Sequence, residues 1–246
     1  MVNHYVALFI FITYIRLHKM AVMKPHLTLI LILFIISNSF SLTCDAQSVT
    51  DVDGNTYTTV KIGSQTWMGQ NLNVSKFRNG DPIPEANSDK EWEQASINKK
   101  PAWCFYENIT EYGTAYGKLY NWYAVNDKRG LAPKGWHISS EAEWNTLAQT
   151  LGGAALAGKK LKEKGADHWK TPNKEATNES GFTATPSGLN YSFGSFVGFE
   201  TKAYWWTSTE DGDDTAIVFS LSYDSNELFN LFLNKGVGLS VRCMKD

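Results

Sequence analysis

The chain has 246 residues and a formal net charge of −2, from 23 Lys and Arg against 25 Asp and Glu. It contains no run of basic residues, so its composition argues against nucleic acid as a partner. Its length suits a leader followed by one domain, and a domain of this size buries about 70% of the surface that its unfolded chain exposes.

Residues 1–46 differ in character from the rest of the chain. They contain two apolar runs, at 5–15 and 27–36, and both are shorter than the roughly 20 residues that a membrane-spanning helix needs. The second run follows Lys24 and precedes small polar residues, which is the layout of a signal peptide. We therefore expect an exported, extracytoplasmic protein, with 1–46 as the signal segment and 47–246 as a single mature domain.

The start of translation and the cleavage site each have two interpretations. Met20 or Met23 opens the signal segment cleanly, which makes residues 1–19 an over-extended gene start; alternatively, the first apolar run belongs to a double-hydrophobic anchor. Cleavage after Ala46 leaves small residues at its −1 and −3 positions, whereas a lipoprotein would carry its lipid on Cys44. The residues before Cys44 match a lipidation site poorly, so we favour simple cleavage and expect membrane contact only through the leader or such a lipid.

Two cysteines remain after cleavage, Cys104 and Cys243. An even pair in an oxidising compartment favours one disulfide, which would tie the middle of the chain to its end. The alternative is two buried free thiols that behave as small apolar groups.

The first part of the mature chain predicts strands joined by tight turns. Strands are expected at 49–52, 56–62 and 66–68, where Thr, Tyr, Val and Ile are enriched between turn residues. Between the first two strands, Asp53-Gly54 supplies the positive φ angles that a two-residue hairpin turn needs.

Two helices are predicted in the middle of the chain, after a polar loop at 78–101 with one helical turn at 89–96. The first lies within 112–125, where aromatic and apolar residues at helical spacing form one buried face: Tyr116, Leu119, Tyr120 and Tyr123. The second runs from about 140 to 151, because Ser140 and Glu143 form a capping box at its start and two glycines follow its end.

Beyond Gly181 the apolar pattern changes to a period of two, which is typical of strands. Five strands are expected, at 182–185, 204–209, 216–223, 228–233 and 239–243. Turn sequences separate the last three, so the region predicts an antiparallel meander. The chain has 9 Trp, and we expect these rings to fill much of the core.

Several motifs follow one another along the mature chain. They are YGKLYNWYAV at 116–125, PKGWHI at 133–138, EAEW at 141–144, SGF at 180–182, WTSTE at 206–210 and GLSVRC at 238–243. In this order they resemble the Fibrobacter succinogenes major paralogous domain family, a family of exported bacterial domains, over nearly all of residues 50–246. The resemblance implies an α+β domain of the C-type lectin-like fold, with small twisted antiparallel sheets flanked by two or so helices. It also implies a periplasmic, surface or secreted bacterial location.

The implied fold is shared with the formylglycine-generating (sulfatase-modifying) enzymes, which bind copper through two closely spaced cysteines near the C-terminus. Cys243 has no such neighbour here, which argues against that activity. The mature chain has two histidines, His137 and His168, too few for a three-His zinc site, and it lacks a His-Glu-x-x-His helix. We therefore predict a protein that is not an enzyme and has no catalytic residues.

Calcium is the one cofactor that the sequence leaves open. Lectin relatives hold calcium through Glu-Pro-Asn and Trp-Asn-Asp triplets, and this chain has neither. Hard oxygen ligands could instead come from one acidic loop, at Glu210, Asp211, Asp213 and Asp214. The alternative is a solvated turn.

Ligand recognition is the function that the resemblance favours. Lectin-like folds present one sheet edge and its loops as a variable face, which here would include Tyr204, Trp205, Tyr223, Asn226, Asn230 and Asn234. Aromatic rings beside amides suit the C–H faces and hydroxyls of sugars, so a glycan or a surface protein is the expected partner. The alternatives are a structural or adhesive envelope component and an uncharacterised enzyme of the sulfatase-modifying type. Of the neighbours Trp205 and Trp206, one is expected to point inward, because adjacent strand residues face opposite sides.

Overall fold

The computed structural model describes residues 47–246. The predicted signal segment, the start at Met20 or Met23 and the alternative lipid site at Cys44 lie outside the described residues. No helix in 47–246 combines the length and the apolar character that crossing a membrane requires.

Short strands and short helices alternate irregularly along the described chain. The strands are β1 (Ser48–Thr50), β2 (Thr56–Ile62), β3 (Gln65–Met68), β4 (Trp103–Cys104), β5 (Leu119–Tyr120), β6 (Trp136–Ile138), β7 (Ser187–Asn190), β8 (Phe196–Phe199), β9 (Lys202–Glu210), β10 (Thr215–Ser222), β11 (Phe229–Asn234) and β12 (Cys243–Lys245). The α-helices are α1 (Asp89–Ile97), α2 (Gly113–Tyr116), α3 (Trp122–Val125), α4 (Glu141–Thr150) and α5 (Ala154–Leu161). All pairings between these strands are antiparallel. The predicted α+β class with small antiparallel sheets is thus confirmed, although five helices replace the two or so expected.

The two ends of the domain share one sheet, in which β1, β2, β3, β12 and β6 pair in that order. The second and third strands lie where they were predicted, whereas the first, predicted at 49–52, is Ser48–Thr50. The turn between β1 and β2 spans 51–55 instead of two residues, because the Asp51 carboxylate accepts hydrogen bonds from the backbone N–H groups of Asp53 and Asn55. The Tyr57 hydroxyl also donates to Asp51, at 2.6 Å, which fixes the turn against β2.

A three-stranded sheet, in the order β11–β10–β9, lies between two cores. Trp206 and Trp205 are neighbours on β9 and point to opposite faces, and both are fully buried. The Trp206 core also contains Phe77, Tyr120, Trp122, Val218 and Leu239. The Trp205 core also contains Trp67, Trp144, Leu161, Phe182 and Phe219.

A smaller group, the Trp92 cluster, packs α1 against the β4–β5 pair. It consists of Ala86, Trp92, Ala102, Cys104, Tyr106 and Leu119. With it, all 9 Trp of the chain are buried, which confirms the expectation of an aromatic core.

The predicted helix face within 112–125 is wrong, because the segment consists of two short helices with a strand between them. Helix α2 ends at Tyr116, β5 follows, and α3 begins at Trp122. The break is at Gly117, which has φ +72° and ψ −165°, a conformation that is open almost only to glycine. The helix predicted over 140–151 is confirmed as α4, with the capping box between Ser140 and Glu143.

Of the five strands predicted beyond Gly181, the middle three are confirmed and the first and last are wrong. The strands predicted at 204–209, 216–223 and 228–233 are β9, β10 and β11. Residues 182–185 form only an isolated bridge between Ala184 and Lys162, and of 239–243 only Cys243 belongs to a strand. The β7–β8 hairpin and α5 have no counterpart among the predictions.

The predicted disulfide is wrong, because Cys104 and Cys243 are both free thiols. Cys104 lies in the Trp92 cluster and Cys243 in the Trp206 core. Burial raises the pKa of each thiol to about 12, so each packs as a small apolar group, as the alternative interpretation held.

Candidate functional site

The acidic loop at 210–214 is organised around a lysine. Lys235 Nζ donates to Glu210 Oε1 at 2.8 Å and to the backbone oxygens of Gly212 and Asp213 at 2.9 Å each. The ammonium also lies 4.6 Å from the centroid of the Trp122 ring. These oxygens therefore already bind a cation, which is the ammonium group of Lys235.

A second carboxylate of this loop is paired elsewhere. Asp214 forms an ion pair with Lys99 at 2.9 Å. Within residues 47–246, no group of three or more His, Cys, Asp or Glu is placed to hold a metal ion. The structure thus does not bring together the oxygen ligands predicted for calcium, Glu210, Asp211, Asp213 and Asp214, because Lys235 and Lys99 draw two of these carboxylates to different places.

The predicted ligand face is also divided. Trp205 has no exposed surface, and its Nε1 donates to Asn71 Oδ1 at 2.9 Å, so its assignment to a ligand-contacting surface is wrong. Trp206 is equally buried and donates to the Tyr120 carbonyl. We expected one of these two rings to point inward. Both are buried, because the sheet is covered on both faces.

The other predicted ligand residues lie at three separate places. Tyr223 and Asn226 are half-buried beside α5, where the Asn226 carbonyl accepts a hydrogen bond from the Gly158 N–H. Tyr204 is half-buried against the Trp206 core. Asn230 and Asn234 are exposed on β11, and no single face includes all of them.

Two exposed aromatic rings at the turn of the β7–β8 hairpin form a flat apolar surface that the sequence reasoning missed. Tyr191 and Phe193 lie in the turn at 191–195, which we call the hairpin tip, and their exposed fractions are 38% and 58%. Their ring centroids are 5.3 Å apart and the rings are nearly parallel, with an interplanar angle of 9°. The turn closes through the Gly194 N–H, which donates to the Tyr191 carbonyl.

The hairpin tip rests on the start of α1. A methyl group at Gly194 would come within 2.4 Å of the Asp89 Cα, so only glycine allows this approach. Asp89 itself is exposed. Burial raises the pKa of the half-buried Tyr204, and the charge of Tyr191 adds to the rise. The sequence signal for this surface was the alternation of Tyr191 and Phe193 before Gly194. That pattern does not show whether the two rings face solvent.

His137 is held between two carboxylates. Its Nδ1 lies 2.8 Å from Asp246 Oδ1, and its Nε2 lies 2.9 Å from Glu143 Oε1. Partial burial opposes protonation, but the hydrogen bonds to both carboxylates outweigh it and raise the pKa of His137 above its usual value. Because both ring nitrogens are engaged, this side chain ties the end of the chain to the start of α4.

His168 is similarly engaged, with Nδ1 2.7 Å from Glu163 Oε2 and its ring edge-on to Tyr116. Clefts open on the described surface beside Leu131, Tyr123 and Lys90. Neither histidine lines any of these three clefts.

Arg242 is a deeply buried charge, with 1% exposed surface. Its Nε and Nη2 donate to Asn71 Oδ1, and its Nη1 donates to the backbone oxygens of Met68 and Phe182 at 3.0 and 2.7 Å. Burial lowers the pKa of Arg242 to about 9, which still leaves the guanidinium charged at neutral pH. The side chain therefore joins three separate segments of the chain by hydrogen bonds.

The motifs that carry the family resemblance describe this interior. Trp136, Trp144, Phe182, Trp206 and Arg242 each come from a different motif, and all are buried. The exposed rings of the hairpin tip and the exposed residues of β11 lie outside the motifs. The resemblance therefore concerns the buried residues that define the fold. The function of the exposed surface has to be inferred from the chemistry of the exposed residues.

No curated protein and no solved structure matches the chain. The family model described as the Fibrobacter succinogenes major domain matches residues 60–245, a range that includes every motif quoted above. By that match, the chain belongs to the Fibrobacter succinogenes major domain family.

Proposed function

We propose that the mature protein is an exported, non-catalytic recognition domain of the C-type lectin-like fold, and that it binds a glycan at the hairpin tip. The observation that carries this proposal is the exposed, parallel pair of Tyr191 and Phe193. Folded proteins bury most large aromatic side chains, and all 9 Trp of this chain follow that rule.

The chemistry of the tip suits a sugar ring. The flat face of Phe193 can cover the apolar C–H patch of a pyranose, while hydroxyl and carboxylate groups at the rim exchange hydrogen bonds with its hydroxyls. The Tyr191 hydroxyl and exposed Asp89 are available at that rim. Because the two rings already stack, little side-chain entropy is lost when a ligand binds.

Four further features support the other parts of the proposal. The signal-peptide layout of the leader supports export. The small antiparallel sheets with α4 and α5 packed against one of them support the lectin-like fold. The engagement of both ring nitrogens of His137 by carboxylates supports a non-catalytic role, as does the absence from the sequence of a closely spaced cysteine pair near Cys243.

A glycan array followed by calorimetry with the best sugar tests the proposal, using the exported protein purified after processing. Phe193→Leu keeps an apolar side chain but removes the flat ring, so we expect it to weaken binding about tenfold or more, the usual cost of losing one stacking ring. Phe193→Trp keeps a flat ring and should retain binding. Ile97→Ala, at a residue that is 65% exposed on α1, is the control for general loss of apolar surface.

Two other outcomes would each contradict one part of the proposal. A sugar that binds Phe193→Leu as tightly as the wild type would place its site elsewhere. Binding of an envelope protein, but of no glycan, through the same two rings would favour the adhesive alternative over sugar recognition.

A further inference from the structure

Strand β11 forms a free edge of the three-stranded sheet. Among the described strands it pairs only with β10. Most of its side chains are exposed, and Phe232 is the most exposed of its apolar residues at 64%. An uncovered edge presents unpaired backbone N–H and C=O groups, which can pair with another strand.

The hydrogen bonds at the end of β11 show which residues present those groups. The Lys235 N–H donates to the Asp214 carbonyl, and this pair continues the β10–β11 register one step beyond Thr215 and Asn234. In an antiparallel ladder, residues that bond to the partner strand alternate with residues that point away. Asn230 and Phe232 therefore direct both their backbone N–H and C=O groups to the open edge, whereas Asn234 offers its N–H there, because its carbonyl already accepts from the Val237 N–H at 2.9 Å.

Nothing in β11 protects this edge. Natural edge strands usually carry a lysine, a proline or a bulge that prevents pairing. The sequence of 229–234 is FNLFLN, with no charged residue and no proline, and its register with β10 is unbroken. Asn230 Nδ2 donates to Glu141 Oε1 at 2.8 Å, so the acidic side chain that contacts the strand is already engaged.

The sequence of the exposed strand is also a palindrome. Residues 230–234 read NLFLN in both directions. In an antiparallel pair of identical strands with a two-fold axis at Phe232, Asn230 lies opposite Asn234, Leu231 opposite Leu233, and Phe232 opposite itself. Each cross-strand pair is then chemically matched, and an aromatic pair lies at the centre.

We infer that β11 is a homodimer interface, at which a second copy of this chain adds its own β11 antiparallel about a two-fold axis through Phe232. The register with its axis at Phe232 pairs all three outward-facing residues of each copy at once. It therefore supplies about four hydrogen bonds between the copies: two between the Phe232 residues, and one from each Asn234 N–H to the Asn230 carbonyl of the other copy. The two sheets join into one continuous sheet, and the interface is isologous.

A second copy fits this edge better than an unrelated extended peptide does. Strand addition binds any extended peptide through its backbone, and side chains decide which one. Because NLFLN reads the same in both directions, an antiparallel second copy of β11 places each residue opposite one of the same type. The interface is distant in sequence from the hairpin tip and shares no residue with it, so this inference does not rest on glycan binding.

Sedimentation velocity of the purified exported protein over a range of concentrations tests the inference. One added strand buries less than the about 1,200 Å² of a standard interface, so we expect a weak dimer, with dissociation constants of about 10 µM to 1 mM. Phe232→Lys and Phe232→Glu each place like charges opposite one another across the two-fold axis. We expect each variant alone to be a monomer, and an equimolar mixture of the two to form a dimer again.

The mixing experiment distinguishes this interface from others, because only an axis at Phe232 brings the introduced lysine of one copy against the introduced glutamate of the other. Ile97→Lys adds a charge at a comparably exposed position on α1 and should leave dimerisation unchanged. Circular dichroism confirms that each variant is folded. A wild-type protein that stays monomeric at about 1 mM overturns the inference, as does a dimer that survives Phe232→Lys. A mixture that stays monomeric overturns the two-fold register.

Discussion

Buried cations join distant segments of this domain. Three lysines and one arginine have at most 7% exposed surface, and each donates to backbone carbonyl oxygens instead of relying on a buried carboxylate alone. Lys162 shows this most simply, since its ammonium donates to the carbonyls of Lys174, Ser222 and Ser225 within 3.2 Å. A carbonyl that is not part of a helix or sheet ladder still needs a donor when it is buried. The four residues are Lys118, Lys162, Lys235 and Arg242.

Replacement of Arg242 by methionine should be among the most damaging single changes. The variant leaves the carbonyl oxygens of Met68 and Phe182 without the Arg242 donor, and Asn71 Oδ1 keeps only the Trp205 Nε1 donor. Each unsatisfied buried acceptor costs about 1–3 kcal/mol. We expect the free energy of unfolding in urea to fall by about 3 kcal/mol or more. Lys245→Met, on the same strand as Cys243 but exposed, should change it by less than about 0.5 kcal/mol. Equal effects of the two variants would contradict the assigned role.

The His137 contacts predict a pH-dependent contribution to stability. The pKa of His137 is raised in the folded protein, so its contribution is complete below the ordinary pKa and is lost as the pH rises through the raised value. The pKa of Glu143 is lowered: burial opposes this, but hydrogen bonds from Ser140 and His137 outweigh it. The Glu143 contribution therefore persists above its ordinary pKa and is lost only as the pH falls through the lowered value.

We therefore expect His137→Gln to lower the melting temperature more at pH 5.5 than at pH 9. The difference in unfolding free energy should be about 1 kcal/mol or less, since the side chain is 37% exposed and solvent screens the pair. Thermal melts of wild type and variant at the two pH values measure it. Asp246→Asn removes one of the two partners and should reduce the pH dependence without abolishing it. A variant that costs the same at both pH values would show that the carboxylates do not act on the imidazole.

At the scale of elements, a glycine decides where helix α2 stops. Gly117 ends α2 with φ +72°, and a methyl group there would lie 2.8 Å from the Leu72 carbonyl oxygen. Gly135 has a similar φ of +78° but nothing within 4 Å of the same position. Both positions have a positive φ, but an added methyl group meets a steric overlap only at Gly117.

Gly135→Ala should lower the free energy of unfolding by about 1–2 kcal/mol, the cost of a left-handed conformation. Gly117→Ala should lower it by about 3 kcal/mol or more, because overpacking adds to that cost. Urea denaturation of both variants gives the comparison. If the two substitutions cost the same, the contact between residue 117 and the Leu72 carbonyl does not constrain the chain.

This break also shows what sequence patterns could and could not give. The helix α4 was predictable, because the capping box and the apolar stripe that follows it are local features. The spacing of Tyr116, Leu119, Tyr120 and Tyr123 suggested a helix equally well, but the approach of Gly117 to Leu72 is a contact between segments 45 positions apart. Periodicity within a window carries no information on such contacts.

The candidate site was harder to predict for the same reason. Alternation correctly placed Trp205 and Trp206 on opposite faces of β9, yet burial of both faces depends on which elements cover the sheet. Phe232 was passed over between Asn230 and Asn234, although it is the exposed ring on that side of β11. Exposure is a property of the assembled molecule, so the surface residues were the least predictable part.

At the scale of the whole molecule, the central sheet couples the two cores. Strand β10 contributes Val218 to the Trp206 core and Phe219 to the Trp205 core, so neither core can lose its packing without disturbing the strand that also serves the other. The five-stranded sheet repeats the arrangement, since Trp67 and Met68 are neighbours on β3 and enter different cores. Domains above about 150 residues often unfold in several steps, but this sharing of strands favours one cooperative transition.

We therefore expect Trp205→Phe and Trp206→Phe to shift the same single transition. Each variant loses ring volume and an indole hydrogen bond, to Asn71 Oδ1 or to the Tyr120 carbonyl, at a cost of about 2 kcal/mol. Far-ultraviolet and near-ultraviolet circular dichroism, followed in the same urea titration, should give one shared midpoint for the wild type and a lower shared midpoint for each variant. If the cores were independent, the two signals would separate in each variant, because only the core that had lost its tryptophan would melt early.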